Sequence, residues 1–298
     1  MLWFYAAFTA AVAFGLNVLI ANHIMEEASS FDFAAIFSVL GALFYLPIFL
    51  YFLPRTSIGG APLAWLALVV SGLANTGGML TSSRAVKDGE VSTVTPLIRT
   101  QPAFAALLGF AVLGEVLDIQ KIIGIGAVTL GGYVVLLRAR EPLLEPVEKL
   151  RTSFPAQLGV LSGFLFAVGA VSDRYALASI PAELYTFFLL AFMAVSFLTY
   201  ISVRKREKFG TIKNSFSRHT PFYVLVGIST VVAYYSTVTA LSLAEASRVV
   251  PILQFQVLVA VAGGYLLFDE TAVGRKLGGS VLLILGVVLI AAQNLLPV

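Results

Sequence analysis

The chain has 298 residues, of which 59% are hydrophobic and only 12% are charged, and its mean hydropathy is +0.93. A soluble domain carries about 25% charged residues, so this composition excludes an ordinary soluble protein and indicates an integral membrane protein. The net charge of +3 comes from basic loops, so we expect contact with anionic membrane lipids and no nucleic-acid partner.

Apolar runs of about 20 residues, the length that crosses a bilayer, follow one another along the chain with charged breaks between them. The alternating segments of a membrane β-barrel are not seen. The spans are therefore predicted to be helices, which satisfy their own backbone hydrogen bonds. The sequence predicts an all-α integral membrane fold with ten transmembrane helices. The predicted spans are 2–21, 33–53, 63–83, 91–113, 119–138, 155–177, 183–203, 220–242, 247–268 and 274–295.

One segment of the chain occurs twice. A shift of 155 residues, with no gap, brings polar residues and glycines of the first half onto identical residues of the second half. The matched pairs include Glu90 and Glu245, Ser92 and Ser247, Pro96 and Pro251, Gln101 and Gln256, Glu115 and Glu270, and Lys121 and Lys276. The chain is therefore predicted to be two five-helix repeats, residues 1–138 and 155–298, joined by a linker over 139–154. Because five is an odd number, the repeats are inverted, an arrangement used for alternating access with a binding site near mid-membrane.

Lysine and arginine predict the topology. The connectors after the odd-numbered spans, counted with the adjoining span ends, hold 14 of the 19 basic residues. The opposite connectors hold Arg55, Lys121, Arg174 and Arg248, and Arg99 lies within a span. The positive-inside rule then places the first set of connectors in the cytoplasm and both termini on the other side of the membrane.

The two halves share a pattern of a proline in the fourth span, a Gly-Glu or Asp-Glu pair, and then a glycine-rich helix. The pattern runs through Pro96, Gly114, Glu115, Gly124 and Gly131 in the first half, and through Pro251, Asp269, Glu270, Gly279 and Gly286 in the second. It resembles the EamA-type domain of the drug/metabolite transporter superfamily, and the resemblance covers nearly the whole chain. It implies a ten-helix bundle that exports or exchanges small metabolites across a membrane, which we expect to be a prokaryotic plasma membrane. It also implies cytoplasmic termini, the reverse of the topology that the basic residues predict.

Arg99 is the sharpest candidate for substrate binding, because a charge within a span is costly and by default indicates function. Helical spacing places Thr95, Pro96 and Arg99 on one face of the fourth span. The 155-residue shift pairs Arg99 with Gln254, so the repeats are predicted to present both side chains towards a common axis. Arg99 suits a carboxylate or phosphate, and Gln254 would bind the same ligand. Alternatively, Arg99 reaches the interface or binds carbonyls freed by Pro96.

Further polar residues within spans are predicted to line the pathway. They are Asn17 in the first span, Asn75 in the third, and Tyr234 and Tyr235 in the eighth. For the two tyrosines the alternative is ordinary packing with one satisfied hydroxyl.

Other repeated residues are predicted to be structural. Gln101 and Gln256 point about 180° away from the Arg99 face and are expected to hydrogen-bond between helices. Pro96 and Pro251 kink their helices, either as hinges or as static bends. Glu115 and Glu270 are expected to cap helices or to form ion pairs.

Rival functions find less support in the sequence. His23 and His219 have no metal-ligand spacing and no P-loop is present, so we expect no catalytic residues, metal or cofactor and disfavour an enzyme. A channel shares the bundle and its polar lining and stays as the alternative. Asp173 and Arg174 end the sixth span, where an interfacial position is the simplest account, so no residue for proton coupling is identified. An arginine without a buried carboxylate partner favours an anionic or zwitterionic substrate, and we expect a monomer.

Overall fold

The computed structural model describes residues 1–137, 142–204, 208–268 and 273–292, which form helices joined by short connections and contain no strand. The first half contains α1 (Leu2–Met25), α2 (Ser30–Phe52), α3 (Pro62–Asp88), α4 (Val91–Ile98), α5 (Gln101–Leu113) and α6 (Ile119–Leu136). The short helix α7 (Glu145–Glu148) and a 3-10 turn (Lys149–Arg151) lie between the halves. The second half contains α8 (Phe154–Ala176), α9 (Ala182–Arg204), α10 (Lys208–Arg218), α11 (Thr220–Leu243), α12 (Ala246–Leu253), α13 (Gln256–Phe268) and α14 (Val273–Ala292).

The described chain is that of a multi-pass membrane protein. Nine helical segments within it are long and apolar enough to cross a membrane, with α4 and α5 counted as one segment and α12 counted with the first part of α13. A further apolar helix over Leu277–Ala292 is shorter. α10 differs from these helices because its apolar residues lie on one face, and its Ile212 and Phe216 pack against a cluster that contains Tyr223.

Local residue chemistry sets where several helices begin and end. The Ser29 hydroxyl accepts a hydrogen bond from the Asp32 amide at 3.1 Å and begins α2. The Asp118 carboxylate accepts from the Lys121 amide at 2.8 Å and begins α6. Gly114 ends α5 with φ of 67°, in the left-handed region where glycine is favoured.

The fourth and ninth predicted spans are broken rather than merely kinked. α4 ends at Ile98 and α5 begins at Gln101, while α12 ends at Leu253 and α13 begins at Gln256. Each break lies a few residues after a proline, Pro96 or Pro251, and in the first half Pro102 lies at the start of the next helix. The spans predicted over 91–113 and 247–268 therefore each consist of two helical pieces.

The two halves are packed into one another. α1 contacts α11, α12 and α13 of the second half, and α8 contacts α3, α4 and α5 of the first half. Glycines allow these close crossings, since a Cβ added at Gly163 of α8 would lie 2.8 Å from the Ile98 carbonyl oxygen. On the other side of the bundle, a Cβ added at Gly15 of α1 would lie 3.0 Å from the Gln256 carbonyl oxygen. Each broken helix is thus braced by the first helix of the opposite half.

The last helices of the halves, α6 and α14, also cross at glycines. A Cβ added at Gly124 would lie 3.1 Å from the Gly286 carbonyl oxygen, and one added at Gly279 would lie 2.9 Å from the Gly131 carbonyl oxygen. Because the order of these contacts is reversed along the two helices, α6 and α14 run antiparallel. The glycines lack side chains that would hold the two backbones apart.

The bundle has two opposite faces, the N-terminal face and the linker face. The N-terminal face carries Met1, the end of α5 and the start of α12, which meet where Glu115 contacts Ala246. The linker face carries the 3-10 turn, where Lys149 contacts Glu90. The breaks in α4–α5 and α12–α13 lie between these two faces.

Candidate functional site

Arg99 lies at the break between α4 and α5, deep within the membrane span. Eight residues of α4 separate it from the linker face and 13 residues of α5 follow it, which corresponds to about 12 Å and about 20 Å of helix. The side chain is half-buried, and its Nε is buried with no hydrogen-bond partner among the described residues. The alternative in which Arg99 binds carbonyls freed by Pro96 finds no such hydrogen bond in the described part of the chain. Thr95 lies one turn earlier and is also half-buried.

Gln254 occupies the equivalent break between α12 and α13. It is 1% exposed, and its Nε2 donates a long hydrogen bond of 3.5 Å to Gln101 Oε1. Its own Oε1 is buried with no partner among the described residues. Gln101 thus bonds a residue of a helix in the opposite half. Gln256 is half-buried on α13.

A neutral polar cluster, called here the Asn17 cluster, joins α1 to α11. Asn17 Nδ2 donates to Thr230 Oγ1 at 3.3 Å, and the Ser229 hydroxyl donates to Asn17 Oδ1. Asn17 is 4% exposed and Thr230 is fully buried. The predicted pathway residue Asn17 therefore bonds two neighbours on α11, and no group in the cluster is charged.

A second cluster, called here the Asp173 cluster, joins α3, α8 and α9. Asp173 Oδ1 accepts hydrogen bonds from the Tyr185 hydroxyl at 2.5 Å and from the Ser71 hydroxyl. Asn75 Nδ2 donates to Ser71 Oγ at 3.1 Å and to the Ser71 carbonyl at 3.0 Å. The structure thus places Asn75 beside a carboxylate that sequence reasoning had assigned to the interface.

Asp173 is the residue that sequence reasoning missed. It lies one turn before the end of α8, near the expected interfacial depth, but neighbouring helices cover it and it is only 6% exposed. The available signal was the pair Ser71 and Asn75, which stand four residues apart and so share one face of the third span. Nothing in the sequence showed that this face would meet Asp173, about 100 residues further along the chain.

Tyr234 and Tyr235 lie in the middle of α11 among aromatic rings. The ring of Tyr234 packs against Phe14 at 5.5 Å and Phe37 at 6.1 Å, and its hydroxyl lies 3.8 Å from Met193 Sδ. The ring of Tyr235 lies 6.0 Å from Tyr45. Both tyrosines are half-buried, and the structure brings neither into a described contact with Arg99 or Gln254.

The comparisons with known proteins agree with this architecture. The model of the EamA-like transporter family matches residues 1–137 and 154–292. The chain belongs to this family. Its members are membrane transporters, and the chain is therefore a multi-pass membrane transporter of the drug/metabolite transporter superfamily. Among solved structures, one whose title reads only "Crystal structure of protein" is 15% identical, and the alignment covers 98% of both chains with a TM-score of 0.72. At that identity the likeness shows the fold alone, and no curated protein matches the chain.

In this EamA-like transporter, the N-terminal face is closed by a contact between the halves. The Glu115 carboxylate accepts hydrogen bonds from the amides of Ala246 at 2.7 Å and Ser247 at 2.9 Å, so it caps α12 of the opposite half. Lys121 is fully buried, and its Nζ lies 2.6 Å from Glu245 Oε2 and 2.5 Å from the Val116 carbonyl oxygen. An anionic cap suits the positive end of a helix. The equivalent residue Glu270 lies outside the described residues.

The linker face carries a different ion-pair arrangement. Lys149 Nζ lies 2.6 Å from Glu90 Oε2 and 2.9 Å from Glu145 Oε1. The hydrogen bonds from Lys149 to Glu90 and Glu145 raise its pKa. These side chains are partly exposed, so the pairs are screened by solvent and contribute little to stability.

Two cavities lie at opposite ends of the bundle. A cavity of about 470 Å³ on the N-terminal face is lined by residues that include Trp3, Arg174, Glu245 and Arg248. A cavity of about 350 Å³ on the linker face is lined by residues that include Asp32 and His219. His219 Nε2 lies 3.4 Å from Glu27, and the ring of His23 packs against Phe222. The described residues contain no group of three or more side chains placed to hold a metal ion.

Proposed function

We propose that this protein is a secondary transporter that moves small anionic or zwitterionic metabolites, such as amino acids or organic anions, by alternating access. The observation that carries the proposal is the position of Arg99. A guanidinium near mid-membrane, with a buried Nε that no described residue satisfies, is costly unless a ligand binds there. Transporters built from repeats place their substrate sites at such discontinuous helices.

An inverted relation between the halves supports alternating access. The end of α5 lies beside the start of α12, so the two broken helices run in opposite directions. α6 and α14 likewise run in opposite directions where they cross at their glycines. If α14 is counted as the tenth span, each half contributes five spans. Pro96 and Pro251 lie where a hinge would bend each broken helix.

The chemistry at the breaks favours an anionic group on the substrate. Arg99 supplies a fixed positive charge, and the N-terminus of α5 begins beside it at Gln101, where the helix dipole is positive. At the other break, Gln254 offers a buried Oε1 that lacks a partner among the described residues. An arginine at one break and an amide at the other would bind the two different ends of an amino acid or organic anion. Thr95, Asn17, Asn75, Tyr234 and Tyr235 would line the path on either side.

The test is flux into proteoliposomes with a panel of amino acids and organic anions. For a transported solute, Arg99→Ala should lower kcat/KM about tenfold to a hundredfold, which corresponds to the loss of roughly 1.5–3 kcal/mol from charged hydrogen bonds. Arg55→Ala is the matched control, because Arg55 is exposed on the N-terminal face and its guanidinium donates to the carbonyl of Tyr51 in the same helical end. Unchanged transport by Arg99→Ala would remove Arg99 from the site.

The same vesicles separate a carrier from a channel. A carrier shows counterflow, in which unlabelled substrate on one side drives uptake of labelled substrate from the other side. A channel shows unitary currents and no counterflow.

We further propose that the protein acts as a monomer in a prokaryotic plasma membrane. We also propose that the linker face lies in the cytoplasm. A reporter fused to the C-terminus distinguishes this orientation from its reverse.

A further inference from the structure

The buried carboxylate of Asp173 has no part in the substrate site described above. One of its oxygens, Oδ1, accepts hydrogen bonds from the Tyr185 hydroxyl at 2.5 Å and from the Ser71 hydroxyl. These donors belong to α9 and α3, so three helices meet at one carboxyl oxygen of α8. The other oxygen, Oδ2, takes part in none of the described hydrogen bonds.

No cation balances this carboxylate within the described residues. Arg174 is adjacent in the chain, but its guanidinium donates to the carbonyls of Leu241 at 2.9 Å and Ser242 at 3.1 Å. The titratable or charged groups described on the elements packed against this end of α8 include Glu183 and Tyr185 on α9, Tyr234 on α11 and, at the surface cavity, Glu245 and Arg248. Glu245 is itself bound by Lys121 and by Arg248 at 2.9 Å. A buried carboxylate without a cationic partner readily neutralises itself by binding a proton.

Asp173 is also connected to the middle of the bundle. Tyr185, whose hydroxyl bonds Asp173, packs in the same apolar cluster as Tyr234, and the ring of Tyr234 packs against Phe14 and Phe37 between α1 and α2. Asp173 itself lies one turn inside the N-terminal face, so protons have a short path to it. A change of charge at Asp173 would therefore reach both the proposed pathway and the contacts between α3, α8 and α9.

We propose that Asp173 is the proton-binding group that couples transport to a proton gradient. When ionised, the carboxylate accepts from Ser71 and Tyr185 and holds α3 and α9 against α8. When it binds a proton from the N-terminal face, it loses its charge and its attraction for the two hydroxyl groups weakens. The three helices can then move relative to one another, and the same proton is released to the other side after the movement. Carboxylates within membrane spans are commonly proton relays for this reason. The inference rests on the proposed transport function.

The first experiment follows the proton itself and needs no substrate. Infrared difference spectroscopy of the purified full-length protein in lipid should show the band of a protonated carboxylic acid growing as the pH is lowered. The component of this band that belongs to Asp173 should be missing from Asp173→Asn and present in Asp32→Asn, the matched control with another buried carboxylate, 4% exposed, near the opposite face. Tyr185→Phe keeps the carboxyl group but removes one donor, so it should displace the pH profile of the band. An identical band in wild type and Asp173→Asn would overturn the proposal.

The second experiment follows transport of a solute found with the panel of amino acids and organic anions. With one proton per substrate, a pH difference of about one unit should concentrate the solute roughly tenfold. Asp173→Asn should abolish this accumulation but keep counterflow, a separation that a purely structural role would not produce. Asp173→Glu should restore accumulation, and monodisperse elution with retained counterflow shows that Asp173→Asn folds.

The two proposals fail in different ways. Counterflow by the wild type with no response to the pH gradient would overturn coupling at Asp173 and leave transport intact. Loss of both accumulation and counterflow in Asp173→Asn, in protein that elutes normally, would make Asp173 structural and also overturn the coupling. Absence of counterflow for every solute in the wild type would overturn the transport proposal, and the coupling would fall with it.

Discussion

The two broken helices are alike in their architecture and unlike in their chemistry. Both consist of an eight-residue piece and a 13-residue piece with a proline before the break. At the break itself, however, one helix carries Arg99 and the other carries Gln254. The prolines near the break are repeated, whereas the residue proposed to face a ligand is not. The symmetric scaffold can support movement while the asymmetric pair would recognise a ligand with two different ends.

The Asp173 cluster and the Asn17 cluster also differ in chemistry at equivalent positions of the two halves. Asn75 of the Asp173 cluster corresponds to Thr230 of the Asn17 cluster under the 155-residue shift. One cluster consists of amide and hydroxyl groups alone, whereas the other contains a carboxylate held by Ser71 and Tyr185. A single titratable group in one half suffices for proton coupling, and a second equivalent group would need a second proton for each cycle.

Removal of the Glu115 cap on α12 should have the largest effect on stability, because this cap joins the halves. Glu115→Ala leaves the buried amides of Ala246 and Ser247 without their acceptor, so the free energy of unfolding should fall by about 2–4 kcal/mol. Glu115→Gln keeps one acceptor oxygen, so its free energy of unfolding should fall less. Denaturation in mixed micelles measures both values.

Glu148→Ala is the matched control for the cap, since Glu148 is exposed on α7. Its free energy of unfolding should stay within roughly 0.5 kcal/mol of the wild type. If Glu115→Ala behaves like Glu148→Ala, the contact between the end of α5 and the start of α12 does not stabilise the closed N-terminal face, and the comparison of the two breaks loses its structural basis.

Disturbing the contact between α8 and the first broken helix should have the next largest effect on stability. A methyl group at Gly163 would lie 2.8 Å from the backbone oxygen of Ile98, so Gly163→Ala should destabilise the protein by about 1–3 kcal/mol as α8 is pushed from the break. Gly126→Ala is the control in α6, because outside its own helical turn no described atom lies within 4 Å of the added methyl group. It should be neutral or slightly stabilising, since alanine is the better helix former. Thermal unfolding in detergent compares the two, and equal melting temperatures would show that α8 does not brace the break.

The sequence was sufficient for the scaffold and for the equivalence of Arg99 and Gln254, because these depend on hydropathy, spacing and repetition. It was insufficient wherever the outcome depended on a neighbour distant in the chain. Glu115 was expected to cap a helix, but the helix that it caps belongs to the other half. Gln101 was expected to bond between helices, but its partner Gln254 could not be identified from the sequence. The burial of Asp173 could not be predicted, because the packing of α3 and α9 over the end of α8 is a tertiary feature.

The weak hydrogen bond between the breaks should give the smallest effect on stability. Gln101→Leu removes the acceptor 3.5 Å from Gln254 Nε2, and the free energy of unfolding should change by only about 0.5–1.5 kcal/mol. Its effect on transport should be clearer, because Gln254 then loses the contact that orients its amide, and KM for the transported solute should rise more than kcat falls. Gln256→Leu, at the repeated position, leaves that contact in place and should keep the wild-type KM. Equal KM values for the two variants would show that the amide of Gln254 is not positioned from the first half, so that the asymmetry of the site would rest on Arg99 alone.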